Sequence, residues 1–268
     1  MVMSTSLGAS SSARRALVTG ASSGIGAATV RALVHKGYEV IALARREDRL
    51  EGLVEETGCS MVVCDLTSEA DIERVRLHLE QLGSLDVLVN NAGGAIGIDP
   101  VATANADDWA AMFDLNVLGT QRMIRALLPL LRQGAREHGV ADIVAMSSTA
   151  AFLSYEGGGG YNAAKAAVHA MVGALRLELV GEPIRIIEIA PGMVHTEEFT
   201  LKRFDGDQAR ADALYEGVEA PLVAEDIADV IAYALGCPPH VNLDLIQLKP
   251  VAQAAQYKLH RGPLKPKG

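Results

Sequence analysis

The sequence predicts a doubly wound α/β fold, with about seven mostly parallel strands in one open sheet and helices on both faces. Three observations predict it. Short runs of branched apolar residues alternate with amphipathic stretches along most of the 268 residues. A glycine-rich turn follows the first such run. Aromatic residues make up only 4% against 26 glycines, so Val, Ile, Leu and Ala must fill the core, as they do in parallel sheets covered by helices.

Taken in order, the apolar runs place strands at 16–18, 40–43, 61–64, 87–89, 143–146, 184–189 and 243–248. The stretches at 24–36, 68–82, 107–133, 160–180 and 224–235 carry helical periodicity and are long enough for right-handed crossovers. The rhythm breaks at 192–219, which shows no strand pattern but mixed charge and Phe199, Phe204 and Tyr215. Short helices forming a substrate lid suit that stretch, with a plain surface insertion as the alternative. No composition shift or repeat marks a linker, so residues 14–252 read as a single dinucleotide-binding and catalytic domain. It lies between a flexible N-terminal arm (1–13) and a C-terminal tail (253–268) containing Pro263 and Pro266.

A composition of 49% hydrophobic and 21% charged residues excludes disorder as the main state. The net charge of -9 leaves no basic excess for a nucleic-acid backbone, and an acidic substrate would need locally placed cations. Cys59, Cys64 and Cys237 have neither a disulfide framework's even count nor zinc spacing, so they read as reduced core thiols. Nothing approaches the roughly 18 apolar residues of a membrane span, and residues 1–13 lack a long apolar run, so a cytoplasmic address is expected. The seven histidines, among them His169 and His195, have no metal-ligand spacing and read as structural or surface residues.

Chemistry concentrates in three places. The first strand runs into Thr19-Gly20-Ala21-Ser22-Ser23-Gly24-Ile25-Gly26 and then a helix. Such glycines let the backbone approach a pyrophosphate, while the helix N-terminus offers free N–H groups and the positive end of its dipole. Tyr161 and Lys165, four apart on a predicted helix, project from one face and can reach one bound molecule. A free tyrosine titrates near pH ~10, so its use at neutral pH needs nearby positive charge, which the Lys165 ammonium would supply. Ser148 closes the fifth strand, beside Ser147, where a hydroxyl could polarise a substrate carbonyl.

The Gly-x-x-x-Gly-x-Gly spacing, Asn90-Asn91-Ala92-Gly93 after the fourth strand and Tyr161-Asn162-Ala163-Ala164-Lys165 together resemble the short-chain dehydrogenase/reductase family. The resemblance covers nearly the whole chain, with the motifs in the family's order. It implies a Rossmann-like fold and a tetrad of Asn116, Ser148, Tyr161 and Lys165. In that tetrad Tyr161 is general acid for ketone reduction and base for alcohol oxidation, and Lys165 also binds the nicotinamide ribose. Ser148, 13 residues before Tyr161, has the family's spacing. Asn116 would help hold a water that relays protons toward Lys165, or is simply a polar residue inside a helix. The resemblance further implies that Gly20, Gly24, Ile25 and Gly26 cradle the cofactor. Asp65 and Leu66 would contact its adenine, unless Asp65 only caps the following helix, and Asn91, Ala92 and Gly93 would line it while Asn90 stiffens the sheet. Pro191, Gly192, Val194 and Thr196 resemble the segment that clamps the nicotinamide carboxamide.

Where an acid would select NAD through the ribose 2′-hydroxyl, this chain has Ala44-Arg45-Arg46. NADP(H) is therefore expected over NAD(H), with Arg45 the foremost 2′-phosphate ligand, Ser22 or Ser23 assisting and Arg46 next. The alternative is a pair of solvated arginines opening the next helix.

The C-terminal third resembles the NADP-dependent serine, L-allo-threonine and 3-hydroxy acid dehydrogenases. Thr196-Glu197-Glu198-Phe199, Lys202-Arg203-Phe204-Asp205-Gly206-Asp207, His240-Val241-Asn242, Pro250-Val251-Ala252-Gln253 and Lys258-Leu259-His260-Arg261 carry this. It implies a short 3-hydroxy acid as substrate, whose carboxylate Arg203, or alternatively Lys202, would receive; a solvent-facing Arg203 is the other reading. Gly94-Ala95-Ile96-Gly97 and the four glycines from Gly157 to Gly160 depart from the subfamily, the latter reading as a flexible approach to the site or only as the loop that opens the next helix. The competing functions are a reductase of a larger ketone and a non-catalytic NADP-sensing protein. The resemblance also implies a homotetramer or homodimer, packed through the helices near 107–133 and 160–180.

Overall fold

The computed structural model describes residues 13–266. The expected arm at 1–13 lies, Ala13 apart, outside the described residues. The chain runs β1 (Arg15–Thr19), α1 (Gly24–His35), β2 (Glu39–Ala44), α2 (Glu47–Thr57), β3 (Ser60–Val63), α3 (Glu69–Leu82) and β4 (Val87–Asn90). It continues through α4 (Ala106–Phe113), a π-helical turn (Asp114–Leu118), α5 (Gly119–His138), β5 (Ala141–Met146), a 3-10 turn (Thr149–Ala151) and α6 (Gly159–Glu178). Then come β6 (Ile184–Pro191), β7 (Val194–His195), α7 (Phe199–Arg203), α8 (Gln208–Tyr215), β8 (Leu222–Val223) and α9 (Ala224–Leu235). The last elements are β9 (Leu245–Leu248), β10 (Gln253–Ala255) and β11 (Lys258–Leu259).

Seven strands form one sheet in the order β3-β2-β1-β4-β5-β6-β9, every neighbour parallel. Side chains alternate across it. Leu17, Ile41, Leu43, Leu88, Ile143 and Ile186 face α3, α5 and α6, meeting Ile72, Val75, Leu127, Leu131, Val168 and Val172. Ala16, Val18, Val40, Val89, Val144 and Ile187 face α1, α2 and α9, meeting Val30, Leu33, Leu50, Ile227 and Ile231. Burial on both faces is why these strands read as continuous apolar runs in the sequence. The winding reverses between β1 and β4, which leaves a crevice beyond their carboxyl ends, the place where such sheets bind ligands.

At the opposite end of the sheet a buried ionic cluster ties the strands together. Asp142 accepts from Arg185 Nε at 2.6 Å and Arg14 Nη2 at 2.9 Å, and Asp86 accepts from the Arg15 N–H at 2.7 Å. Removing the shared carboxylate strands the buried Arg185 guanidinium, so Asp142→Leu should lower unfolding stability by about 3–5 kcal/mol in a urea titration.

Several local readings are corrected by the tertiary structure. The expected helix at 107–133 is two helices separated by a π turn, and α5 runs on to His138. Asn116 causes the irregularity, its Nδ2 donating to Met112 O at 2.7 Å and its backbone O accepting from Thr120 Oγ1 at 2.8 Å. The stretch 192–219 holds the short helices α7 and α8, but it also contains β7, which pairs with β8. Residues beyond 252 return to the body as a hairpin, with Gln253 buried and the Gly262 N–H bonded to Gly217 O at 2.6 Å. Cys59 and Cys64 are buried, but Cys237 is partly exposed, outside the core. Among the described residues, no helix is long and apolar enough to cross a membrane.

Candidate active site

The crevice opens into a cavity of about 1030 Å³ that reaches from the glycine loop to Gln253 and Gln256. All the cofactor and catalytic candidates line it except Gly26, whose place is behind the loop. At Gly20 and Gly26 the loop leaves no room for a side chain. A Cβ on Gly20 (φ +67°) would lie 2.8 Å from Ala92 Cα, and one on Gly26 would lie 2.2 Å from Gly20 O. Thr19 Oγ1 accepts from the N–H groups of Asn91 and Ala92, both at 3.0 Å, and Asn91 Nδ2 donates to Thr19 O at 3.0 Å. Asn91 thus does the bracing expected of Asn90, whose buried amide makes no protein hydrogen bond. Ser23 stands at the N-cap of α1 without spending its hydroxyl on the helix, and no acid occupies the first turn. Anion-binding N–H groups therefore face the cavity, which fits a dinucleotide pyrophosphate. Thr196 lies against the loop, 3.5 Å from where a Cβ on Gly24 would stand.

The two arginines both line the cavity but differ in orientation. Arg45 extends into solvent, its Nη1 3.9 Å from Asp65 Oδ2. Arg46 turns inward, its Nη2 donating to Ser22 Oγ at 2.9 Å and Ser23 Oγ at 3.0 Å while Nη1 meets Glu198 Oε1 at 2.5 Å. Which of two adjacent guanidiniums faces the loop depends on where α2 begins, because Arg46 is its N-cap. Asp65 is not the cap of α3; it accepts from Thr67, and Ser68 caps that helix. Leu66 is buried in the adjoining core.

The tetrad converges on the cavity from three elements. Ser148 follows β5 beside Tyr161, its Oγ accepting from Ala150 N at 3.1 Å and donating to Pro191 O at 3.4 Å, whereas the Ser147 hydroxyl is buried without a protein partner. Lys165 donates to Met146 O at 2.8 Å and lies 5.7 Å from the Tyr161 ring centre. Asn116, carried inward by the π turn, exchanges hydrogen bonds with Gly94 backbone at 3.0 and 3.2 Å. A Cβ on Gly93 would lie 2.5 Å from Asn116 Oδ1 and 3.3 Å from Lys165 Nζ, so only glycine lets these groups meet.

Burial raises the Tyr161 pKa, Tyr155 adds to the rise, and the Ser148 hydrogen bond and the Arg203 guanidinium oppose it. The cation opposing the rise is thus Arg203, where the sequence pointed to Lys165. Burial also lowers the Lys165 ammonium to about 8, against the attraction of Glu188. Between about pH 8 and its ordinary 10.5 the unfolded chain then holds more protons here than the native one, so native stability rises with pH across that window. Relative to Lys165→Met, the wild-type protein should gain about 3 kcal/mol over it in denaturant titrations. Parallel curves for the two proteins would show that the Lys165 pKa is not lowered.

The stretch expected to form a lid packs against Tyr161. Phe199 meets its ring edge to face at 5.8 Å, and Thr200 Oγ1 and Tyr215 Oη are 2.7 Å apart beneath. Arg203 stacks 5.9 Å from the Tyr161 ring centre and donates to Tyr155 Oη at 2.8 Å and Gly97 O at 3.2 Å. It therefore joins the two loops, 94–97 and 157–160, in which the chain departs from the subfamily pattern. The second is not a flexible approach: a Cβ on Gly157 would lie 2.4 Å from Ile98 O, and one on Gly160 2.5 Å from Met112 Cε. Tyr155 carries no motif in the sequence, and Gln253 enters there only within the segment 250–253 that carries the subfamily resemblance. Tyr155 precedes the glycine run as an isolated aromatic, and Gln253 Oε1 accepts from the Met193 N–H at 2.8 Å. His169 pairs with Glu188 Oε2 at 2.8 Å, and His195 stacks on Tyr215 at 4.4 Å.

A family model described as short chain dehydrogenase matches residues 14–205. A protein of Mycobacterium tuberculosis named an uncharacterized oxidoreductase is 49% identical over 252 residues, spanning 94% of this chain and 97% of its own. The NADP-dependent 3-hydroxy acid dehydrogenase of Salmonella typhi is 39% identical over 249 residues, 91% of this chain and 98% of its own. Among solved structures, the closed form of a serine dehydrogenase complexed with NADP+ superposes with a TM-score of 0.84 at 36% identity, covering 92% of this chain and 99% of that one.

Proposed function

Because this chain belongs to the short-chain dehydrogenase family and is an NADP-dependent oxidoreductase acting on CH–OH groups, we propose that its substrate is a short 3-hydroxy acid. The observation that carries the proposal is Arg203. Among the described residues its guanidinium pairs with no carboxylate, yet it lies in the cavity wall against the Tyr161 ring of an acidic protein. A bidentate donor there suits a substrate carboxylate and sets the β-hydroxyl toward Tyr161. The names of the 3-hydroxy acid and serine dehydrogenase relatives support the same class.

The glycine loop, Ser22, Ser23 and Arg46, with Arg45 at the rim, would hold the adenosine and phosphates of NADP. Asn91, Ala92, Gly93, Pro191, Gly192, Val194 and Thr196 would line its nicotinamide half. When bound, NADP supplies the hydride acceptor or donor. In the oxidative direction the Tyr161 phenolate, formed where Lys165 and the bound cofactor's positive charge offset its burial, would take the proton of the β-hydroxyl, Ser148 would hold the same oxygen, and the hydride would leave the carbon that bears it for NADP. Lys165 holds positive charge beside the tyrosine, and Asn116 keeps the backbone at Gly94 in place for a water that returns the proton to solvent. Exposed Leu177 and Val180 at the end of α6 support an assembly of two or four copies, which light scattering would count.

The purified protein should reduce NADP+ with L-serine, L-allo-threonine or 3-hydroxyisobutyrate. Arg203→Leu should raise KM for them roughly 10- to 100-fold, the value of a charge-assisted hydrogen bond, and leave KM for neutral secondary alcohols nearly unchanged. Equal effects on charged and neutral substrates would exclude the carboxylate role, and turnover of bulky ketones alone would favour the larger-carbonyl reading.

A further inference from the structure

A lid carboxylate reaches into the cradle assigned to the cofactor's 2′-phosphate. Glu198 Oε1 lies 2.5 Å from Arg46 Nη1, and its Oε2 accepts from Ser23 Oγ at 3.2 Å. Lys202, one turn on in α7, holds Oε2 from the other side. Arg46 joins this carboxylate to Ser22 and Ser23, so the donors suited to a phosphate already serve an anion of the protein itself. The contact spans 152 residues and links the loop before α2 to the lid. Glu198 is mostly enclosed, its side chain 14% exposed. Two anions in contact with one guanidinium and one hydroxyl repel each other, the more so out of water.

We propose that Glu198 is a cofactor-discriminating residue: its carboxylate holds the 2′-phosphate's place on Arg46 and Ser23, and an arriving phosphate displaces it and frees the start of α7 from the loop. A ribose carrying a 2′-hydroxyl leaves Glu198 in position and can donate to it, as it would to an acid at the end of β2. Glu198 thereby narrows the affinity gap between NADP and NAD and makes the lid's attachment depend on which cofactor is bound. Although partial burial works to raise its pKa, the hydrogen bonds from Arg46 and Lys202 hold Glu198 down to about 2, so the competing anion is charged across the physiological range.

The inference rests on the reading of Arg46, Ser22 and Ser23 as the 2′-phosphate cradle, and two variants separate the two. Binding of NADP+ and of NAD+ is measured by calorimetry at one ionic strength for the wild type, Glu198→Gln and Arg46→Ala, each first checked for native circular dichroism. Glu198→Gln preserves size and removes the charge; it should tighten NADP+ about tenfold and leave NAD+ unchanged or weaker. An unchanged or reduced preference for NADP+ in Glu198→Gln, with a reduced preference in Arg46→Ala, overturns the role of Glu198 and keeps the cradle. No change of preference in Arg46→Ala overturns the cradle, and the inference with it.

Discussion

Tyr161→Phe is expected to cut turnover roughly 10²- to 10⁴-fold while leaving NADP+ binding and the melting temperature near their wild-type values. Tyr161 lies beside Ser148 in the cavity wall, and its phenolic oxygen is the group proposed to exchange a proton with a substrate hydroxyl. Phenylalanine keeps the ring and with it the edge contact to Phe199 at 5.8 Å and the cations near its faces, Lys165 at 5.7 Å and Arg203 at 5.9 Å. Loss of chemistry without loss of packing is therefore the signature. Stopped-flow and steady-state absorbance of reduced nicotinamide, with calorimetric NADP+ binding alongside, would measure both. A Phe variant that retains more than a tenth of the activity would show that the proton is carried elsewhere. NADP+ binding with no turnover in the wild type, across hydroxy acids and alcohols alike, would instead bring the sensor reading forward.

Gly26→Ala should weaken NADP+ binding by more than tenfold and destabilise the fold by about 1–3 kcal/mol, the usual cost of overpacking. Gly26 lies within α1 at an ordinary helical φ, so left-handed strain is not the cause. Proximity is: the new Cβ would stand 2.2 Å from Gly20 O and 2.6 Å from Asn91 Nδ2. Both neighbours are themselves braced, since Asn91 Nδ2 donates to the carbonyls of Thr19 and Gly20 at 3.0 and 3.3 Å. The helix must retreat from the loop, and its N–H groups retreat from the phosphate they would bind. Gly52→Ala provides the contrast, because nothing lies within 4 Å of that Cβ in the interior of α2. There the substitution should stabilise by about 0.5–1 kcal/mol through helix propensity and leave NADP+ affinity alone. Thermal unfolding and calorimetry on the two variants test the argument, which fails if Gly26→Ala binds NADP+ as the wild type does.

The parts of this fold legible in advance are those whose signal is local. Runs such as Val87-Leu88-Val89 and Ile143-Val144-Ala145-Met146 identify strands because both sheet faces are covered, and the helices after β1 and β3 begin within a residue of where their periodicity begins. The helix over Glu47–Thr57 lacks a signal of that strength, with only Leu50 and Leu53 buried among charged neighbours. The tail beyond 252 was likewise illegible, because it is held by single long-range contacts such as Gln256 Nε2 to Thr149 Oγ1 at 2.6 Å. Exposure of Cys237 depends on where α9 ends and how the chain leaves it, which composition does not report.

The sequence by itself determined the alternating α/β architecture, the glycine loop before the first helix and the placing of Tyr161 and Lys165 on one helix face, since each follows from a fixed period along a single stretch of chain. It also determined the cofactor's sign, through the absence of an acid after β2. Only the tertiary structure decided that Arg46 rather than Arg45 faces the loop, that Asn91 does the bracing expected of Asn90, and that Glu198 meets Arg46 from 152 residues away. It alone set Arg203 against Tyr161 and between two glycine-rich loops. The reason is the same in each case: a side chain's partner at a crevice is chosen by the crossing of distant segments, and spacing along one segment carries no information about which segment crosses it.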